Sequence, residues 1–89
     1  MVKTIFLDRD GVINRDSPEY IRSRSEFEFL PTSLEAIRLL SQNNYQIIVI
    51  TNQSAVARGM ISVEELHAIH RMMYETVRRY GGEIQEVFC

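Results

Sequence analysis

The amino-acid sequence predicts an α/β domain built on a parallel sheet. One observation is the order of elements: short apolar runs alternate with amphipathic segments as strand, helix, strand, helix, strand. A second is the stretch "YQIIVIT", residues 45–51, whose unbroken apolar character suits a parallel strand covered on both faces. Strands joined through helices run parallel by right-handed crossovers, and such sheets bind ligands beyond the carboxyl ends of their strands.

The first predicted strand is residues 2–8, running into Asp8. Residues 15–30 follow as a long polar connection, either a surface loop or a flap; Phe27 and Phe29 alternate with Glu26 and Glu28, which would suit a short strand. A helix is predicted over 32–43. Thr32 and Glu35 have the spacing of a capping box, and Leu34, Ile37 and Leu40 form its apolar stripe. The strand 45–51 comes next. A second helix is predicted from Ser62, where Ser62 and Glu65 repeat the capping-box spacing and Ile61 stands where it can staple onto Leu66. Its stripe is Leu66, Ile69, Met73 and Val77, and Gly81-Gly82 is the stop. "EIQEVFC", residues 83–89, is the third strand.

With 89 residues the chain makes one small domain at most. A net charge of −2, with nine arginines and one lysine scattered along the chain, gives no electrostatic case for nucleic acid. The longest aliphatic run, Ile47 to Ile50, is far short of the ~20 residues of a membrane span. "MVKTIFLD" lacks the features of a signal peptide, and a single Cys89 cannot close an internal disulfide. A reduced, cytoplasmic protein is the expectation.

Two strand ends carry the chemistry. Asp8 and Asp10, two apart at the end of an apolar strand, place two carboxylates close together, and Gly11 lets the backbone turn after them. One carboxylate of such a pair can attack or bind metal while the other handles a proton. Their mutual repulsion favours a hard cation such as Mg²⁺. At the neighbouring end, "ITNQS" offers the Thr51 hydroxyl, the Asn52 amide and turn N–H groups to a phosphate. Arg9, between the aspartates, is expected to point away from them. His67 and His70, three apart on the second helix, have a spacing that could pair on a metal, although ordinary helix positions explain them.

"FLDRDGVIN" resembles the first motif of the haloacid dehalogenase superfamily, and "VITNQSAVARGMIS" resembles the second motif of its branch of heptose bisphosphate and histidinol phosphatases. The resemblance implies a three-layer, Rossmann-like α/β/α fold with a parallel sheet, of which residues 1–89 would be the N-terminal half of a single domain. It implies Asp8 as nucleophile, forming an aspartyl-phosphate, and Asp10 as general acid and base. Mg²⁺ would bind the Asp8 carboxylate and the Asp10 carbonyl, Thr51 and Asn52 would hold phosphate, and Gln53 and Arg58 would face the substrate. Arg58 suits a bidentate grip on a second phosphate. Cys89 resembles the first ligand of the branch's structural zinc loop, though one cysteine makes no zinc site.

The implied substrate is a small phosphorylated metabolite, first a sugar bisphosphate such as D-glycero-D-manno-heptose 1,7-bisphosphate, second histidinol phosphate. Departures from the pattern are informative. Alanine stands at position 55 where the branch commonly has glycine; a positive φ there would cost about 1 kcal/mol. The superfamily's charge-neutralising lysine and late acidic motif have no counterpart, since Lys3 lies at the wrong end of the first strand and no acidic strand-end pair follows Asp16. A different class therefore stands beside the enzyme: a chain that binds phosphate or a partner without catalysis. Partners in that setting are the missing C-terminal half or a second copy, because the first strand would expose a hydrophobic edge.

Overall fold

The computed structural model describes residues 2–17, 20–52 and 54–89. Three strands form one parallel sheet: β1 (Lys3–Asp8), β2 (Tyr45–Ile50) and β3 (Glu86–Phe88), in the order β1-β2-β3. Helix α1 (Ser33–Gln42) joins the first two, and a short α2 (Ser54–Ala57) and a long α3 (Val63–Arg79) join the second and third. The predicted alternation and parallel direction are therefore observed. The third strand is shorter than its predicted span, although the Gln85 amide already donates to the Ile47 carbonyl at 2.7 Å.

Burial follows the period of two along each strand. Ile47 and Val49 are fully buried, and Ile5, Leu7 and Val87 pack against the same core. The alternate positions Phe6, Ile50 and Phe88 remain exposed. The register explains why they lie together, since Phe6 pairs with Ile48, Asp8 with Ile50, and Ile50 with Phe88. Among the described residues the core lies on one face of the sheet, where Ile37 of α1 meets Leu66, Ile69, Met73 and Val77 of α3. These are the stripes that the helical spacing predicts.

The two capping boxes come apart. Ser62 has extended backbone, and its side chain accepts from the Glu65 amide at 3.0 Å, a cap worth about 1 kcal/mol. Thr32 sits at φ −110° and ψ 0°, makes no side-chain cap, and leaves Glu35 to pair with Arg38 instead. A cap needs an extended residue so that its oxygen faces the first free amides, and Thr32 is already close to helical. Ser33 binds back to the Leu30 carbonyl at 3.0 Å. The stop after α3 has a packing reason: a Cβ on Gly82 would lie 2.9 Å from Ile37 Cγ2, so glycine lets the chain pass close to α1.

The described part of the long connection is folded rather than loose. Ile21 and Phe27 are buried, and Phe27 meets Phe29 edge to face with centroids 5.1 Å apart. A single bridge pairs Phe29 with Asn14, flanked by the Leu30 amide on the Ile13 carbonyl and the Arg15 amide on the Glu28 carbonyl. The predicted short strand is thus reduced to this bridge and a 3₁₀ turn at Arg24–Glu26. Glu65 of α3 holds that turn through the Arg24 amide and side chain.

Candidate active site

The β1–β2 register sets Asp8 beside Ile50, so the backbone leaving β1 runs next to the backbone leaving β2. Between them lies an open cleft of about 260 Å³ lined by Asp8, Arg9, Asp10, Ile50, Thr51 and Asn52. Four of the predicted site residues, Asp8, Asp10, Thr51 and Asn52, thus share one cleft. Gln53 lies outside the described residues. Arg58 does not line the cleft; its guanidinium stands 6.0 Å from the centre of the Tyr20 ring. Cys89 is exposed and borders a different hollow, with His67, His70 and Tyr74.

The turn after β1 is built on one carbonyl. Arg9 O accepts from the amides of Val12, Ile13 and Asn14 at 3.3, 2.8 and 3.2 Å, while the Gly11 amide donates to Asn14 O at 2.8 Å. Gly11 takes φ +85°, a conformation open to glycine at no steric cost. This tight turn carries Asp10 out of the strand's alternation. Asp8 stays at the strand end, exposed, and its carboxylate makes no hydrogen bond among the described residues.

Asp10 is held firmly, and Arg9 is what holds it. The guanidinium does not point away: Arg9 Nε donates to Asp10 Oδ1 at 2.8 Å and Nη2 donates to Oδ2 at 3.1 Å. The strand ends at Asp8, so the alternation that would separate neighbours no longer applies. Arg9 is 4% exposed, and a buried guanidinium must be paired on every edge. Its remaining Nη1 lies 3.1 Å from His70 Nε2, and the Phe27 ring lies 5.9 Å from its carbon. Asn14, fully buried, adds a third donor to Asp10, from Nδ2 to Oδ1 at 2.9 Å, and also reaches the Arg15 carbonyl at 3.0 Å. Both partners accept, which fixes the amide orientation and leaves Asn14 Oδ1 as a buried acceptor without a partner among the described residues.

Arg9, Asn14, Phe27 and His70 were not legible as site residues. The one available signal was His70 itself, whose position falls beside the apolar stripe of α3 at Leu66, Ile69, Met73 and Val77.

Burial, then the charge of Arg9 and that of His67, push His70 down to about 4, against a smaller upward pull from Asp10. The unfolded side chain protonates near its ordinary 6.5, so acid favours unfolding. The stability at stake is fully present above the ordinary value and is lost as the pH falls from there toward 4; it is on the order of 3 kcal/mol. Urea unfolding at neutral pH and near pH 4.5 tests this. Wild-type protein should lose more stability on acidification than His70→Gln; equal losses would remove His70 as the cause.

At the second strand end, Asn52 Oδ1 accepts from the Ser54 amide at 2.8 Å and from Ser54 Oγ at 2.7 Å, which opens α2. That leaves the Asn52 amide N–H groups without a partner among the described residues. Ala55 sits inside α2; positive φ occurs among described residues at Tyr20, Asn44 and three glycines, so alanine is unstrained there.

The donor set suits magnesium in kind. The Asp8 carboxylate and the Asp10 carbonyl are hard oxygens that accept no hydrogen bond among the described residues, and Mg²⁺ is satisfied by one or two carboxylates when phosphate or water completes it. Zinc has no such support: no group of three or more His, Cys, Asp or Glu placed to hold a metal occurs among the described residues.

No family model matches the chain. It is 41% identical over 87 residues to the D-glycero-beta-D-manno-heptose-1,7-bisphosphate 7-phosphatase of Bordetella bronchiseptica, covering 98% of this chain and 49% of that protein. The Pseudomonas aeruginosa protein of the same name is 46% identical over 80 residues, covering 90% and 45%. Among solved structures, the Bordetella bronchiseptica D,D-heptose 1,7-bisphosphate phosphatase, complexed with magnesium and phosphate, superposes with a TM-score of 0.95 over 98% of this chain and 49% of that one. The chain has the fold of the haloacid dehalogenase phosphatases. A had-like phosphatase from Mesorhizobium loti agrees at a TM-score of 0.82 and 32% identity over 93% of this chain and 39% of that one. The chain spans about half the length of the curated relatives it matches. The haloacid dehalogenase fold accounts for the parallel sheet and for a site at the ends of β1 and β2.

Proposed function

We propose that the protein takes part in Mg²⁺-dependent hydrolysis of a phosphomonoester, with a sugar bisphosphate such as D-glycero-D-manno-heptose 1,7-bisphosphate as the first substrate. One observation carries the reading: Asp8, unencumbered, and Asp10, held by three donors, share a cleft with Thr51 and Asn52. The heptose bisphosphate names of the relatives favour the substrate class.

In this reading Asp8 attacks phosphorus, an Asp8 oxygen–phosphorus bond forms, and the bond to the leaving oxygen breaks. Asp10 gives that oxygen its proton. A water molecule then attacks the aspartyl-phosphate, passing its proton to Asp10 and releasing Asp8 and phosphate. Asp10 Oδ1 is filled by two donors while Oδ2 has only one, so Oδ2 keeps a lone pair for the traffic. Thr51 and the free Asn52 amide hold the phosphoryl oxygens. Held by the Asp8 carboxylate and the Asp10 carbonyl, Mg²⁺ supplies positive charge beside the phosphoryl group.

The residues in hand leave one task open. Arg9 is committed to Asp10 and His70, and Lys3 lies over Tyr45 at the far end of the strands, so no described lysine faces the cleft. Arg58, beside Tyr20, is the candidate for a second phosphate. A reduced, cytoplasmic setting is part of the same proposal and is compatible with the free thiol of Cys89.

The test is phosphate release by the full reading frame that carries this sequence, across a panel of sugar bisphosphates, sugar monophosphates and histidinol phosphate, with and without EDTA. Release from the bisphosphates that EDTA stops and Mg²⁺ restores is the expected outcome. Phosphate binding with no turnover on any member would instead favour a non-catalytic chain.

A further inference from the structure

We propose that His70 is a positioning residue for Asp10, acting through Arg9. The inference rests on the reading of Asp10 as acid and base. His70 Nε2 stands 3.1 Å from Arg9 Nη1, and the opposite edge of the same guanidinium grips both Asp10 oxygens. A guanidinium has no acceptor atom, so in this contact Arg9 donates and His70 accepts. The imidazole is then neutral and carries its proton on Nδ1.

Three features argue for a function beyond filling space. His70 is 6% exposed and sits against the apolar stripe of α3, where an aliphatic side chain would pack without desolvating a polar ring. Among the described residues it hydrogen-bonds none of the cleft-lining residues except Arg9, so its direct contact with the site runs through that guanidinium. And the guanidinium plane decides where Asp10 Oδ2 points. Nε and Nη2 fix the carboxylate to that plane, Phe27 covers its face, and Nη1 on His70 prevents it from turning in the plane. Asn14 secures Oδ1 alone. The oxygen with the spare lone pair therefore takes its aim from α3.

A misaimed acid damages proton delivery more than phosphate binding. Leaving groups that depart without a proton report the difference. In the full reading frame, His70→Leu removes the acceptor and His70→Gln restores one. We expect His70→Leu to lower kcat/KM for an alkyl phosphate by about 10–100-fold, while kcat/KM for p-nitrophenyl phosphate stays near wild type; this ratio reports the leaving-group step and excludes the later water attack, which both substrates share. His70→Gln should recover most of the loss. Equal losses on both substrates, no loss on either, or a glutamine variant that folds like wild type but recovers nothing would each overturn the proposal.

A second readout needs no turnover. In ¹⁵N NMR of the wild-type protein, His70 Nε2 should be the unprotonated nitrogen, and its resonance should move on Arg9→Lys. A proton on Nε2 would overturn the proposal. If wild-type protein released no phosphate from any substrate, the phosphatase reading would fall and the NMR result would still decide the Arg9–His70 contact.

Discussion

Asp8→Asn should abolish phosphate release, by on the order of 10⁵-fold, the scale on which an enzyme loses its nucleophile. The fold should not notice. Asp8 is exposed at the end of β1 and its carboxylate makes no hydrogen bond among the described residues, so the unfolding free energy should stay within about 0.5 kcal/mol of wild type. The variant thus separates chemistry from folding. A covalent readout adds to the rate: wild-type protein quenched during turnover should yield a phosphorylated peptide spanning Asp8, and Asp8→Asn should not. Activity above about one part in a hundred, on a preparation free of wild-type enzyme, would remove Asp8 as the nucleophile.

Asp10→Asn should lower turnover of an alkyl phosphate by about 10²–10⁴-fold, the range of general acid–base catalysis. Here the fold does notice. The amide can accept from Arg9 Nε through its oxygen, but then sets its own N–H groups against Arg9 Nη2, which leaves a buried donor badly paired at a cost of about 1–3 kcal/mol. Asp10→Ala is harsher, about 3–5 kcal/mol, because it strands the guanidinium of a residue 4% exposed. Unfolding curves for both variants, measured beside their rates, should therefore rank alanine below asparagine. An asparagine variant with wild-type turnover of an alkyl phosphate would refute the acid–base role outright.

What the sequence disclosed follows from the range of the forces involved. β2 and α3 were legible because burial imposes a local period: Ile47 and Val49 face the core, and Leu66, Ile69, Met73 and Val77 recur on one side of a helix. Asp8, Asp10, Thr51 and Asn52 were legible because strand ends are where parallel sheets present ligand groups. The fine geometry was not. Ser62 and Thr32 stand in the same motif, yet one caps and the other does not, since a few tens of degrees in backbone angle decide where the hydroxyl points. Arg9 departs from the alternation because the strand ends at Asp8, and its side chain turns onto Asp10. His70 gave a weak sign by its place beside the stripe, but nothing in the sequence names its partner.

The Arg9–His70 bond joins residues 61 positions apart. The β1–β2 register joins residues nearly as far apart in sequence, and loop entropy grows slowly with length, so what separates the two is that the Arg9–His70 bond needs α3 in place and the strand register does not. β1 and β2 can align Asp8 with Ile50 before α3 has docked, whereas Asp10 acquires its aim only after. During refolding, then, a phosphate-binding cleft should precede a competent one: the molecule would hold its ligand before it could turn it over, and the lag between the two would time the arrival of α3.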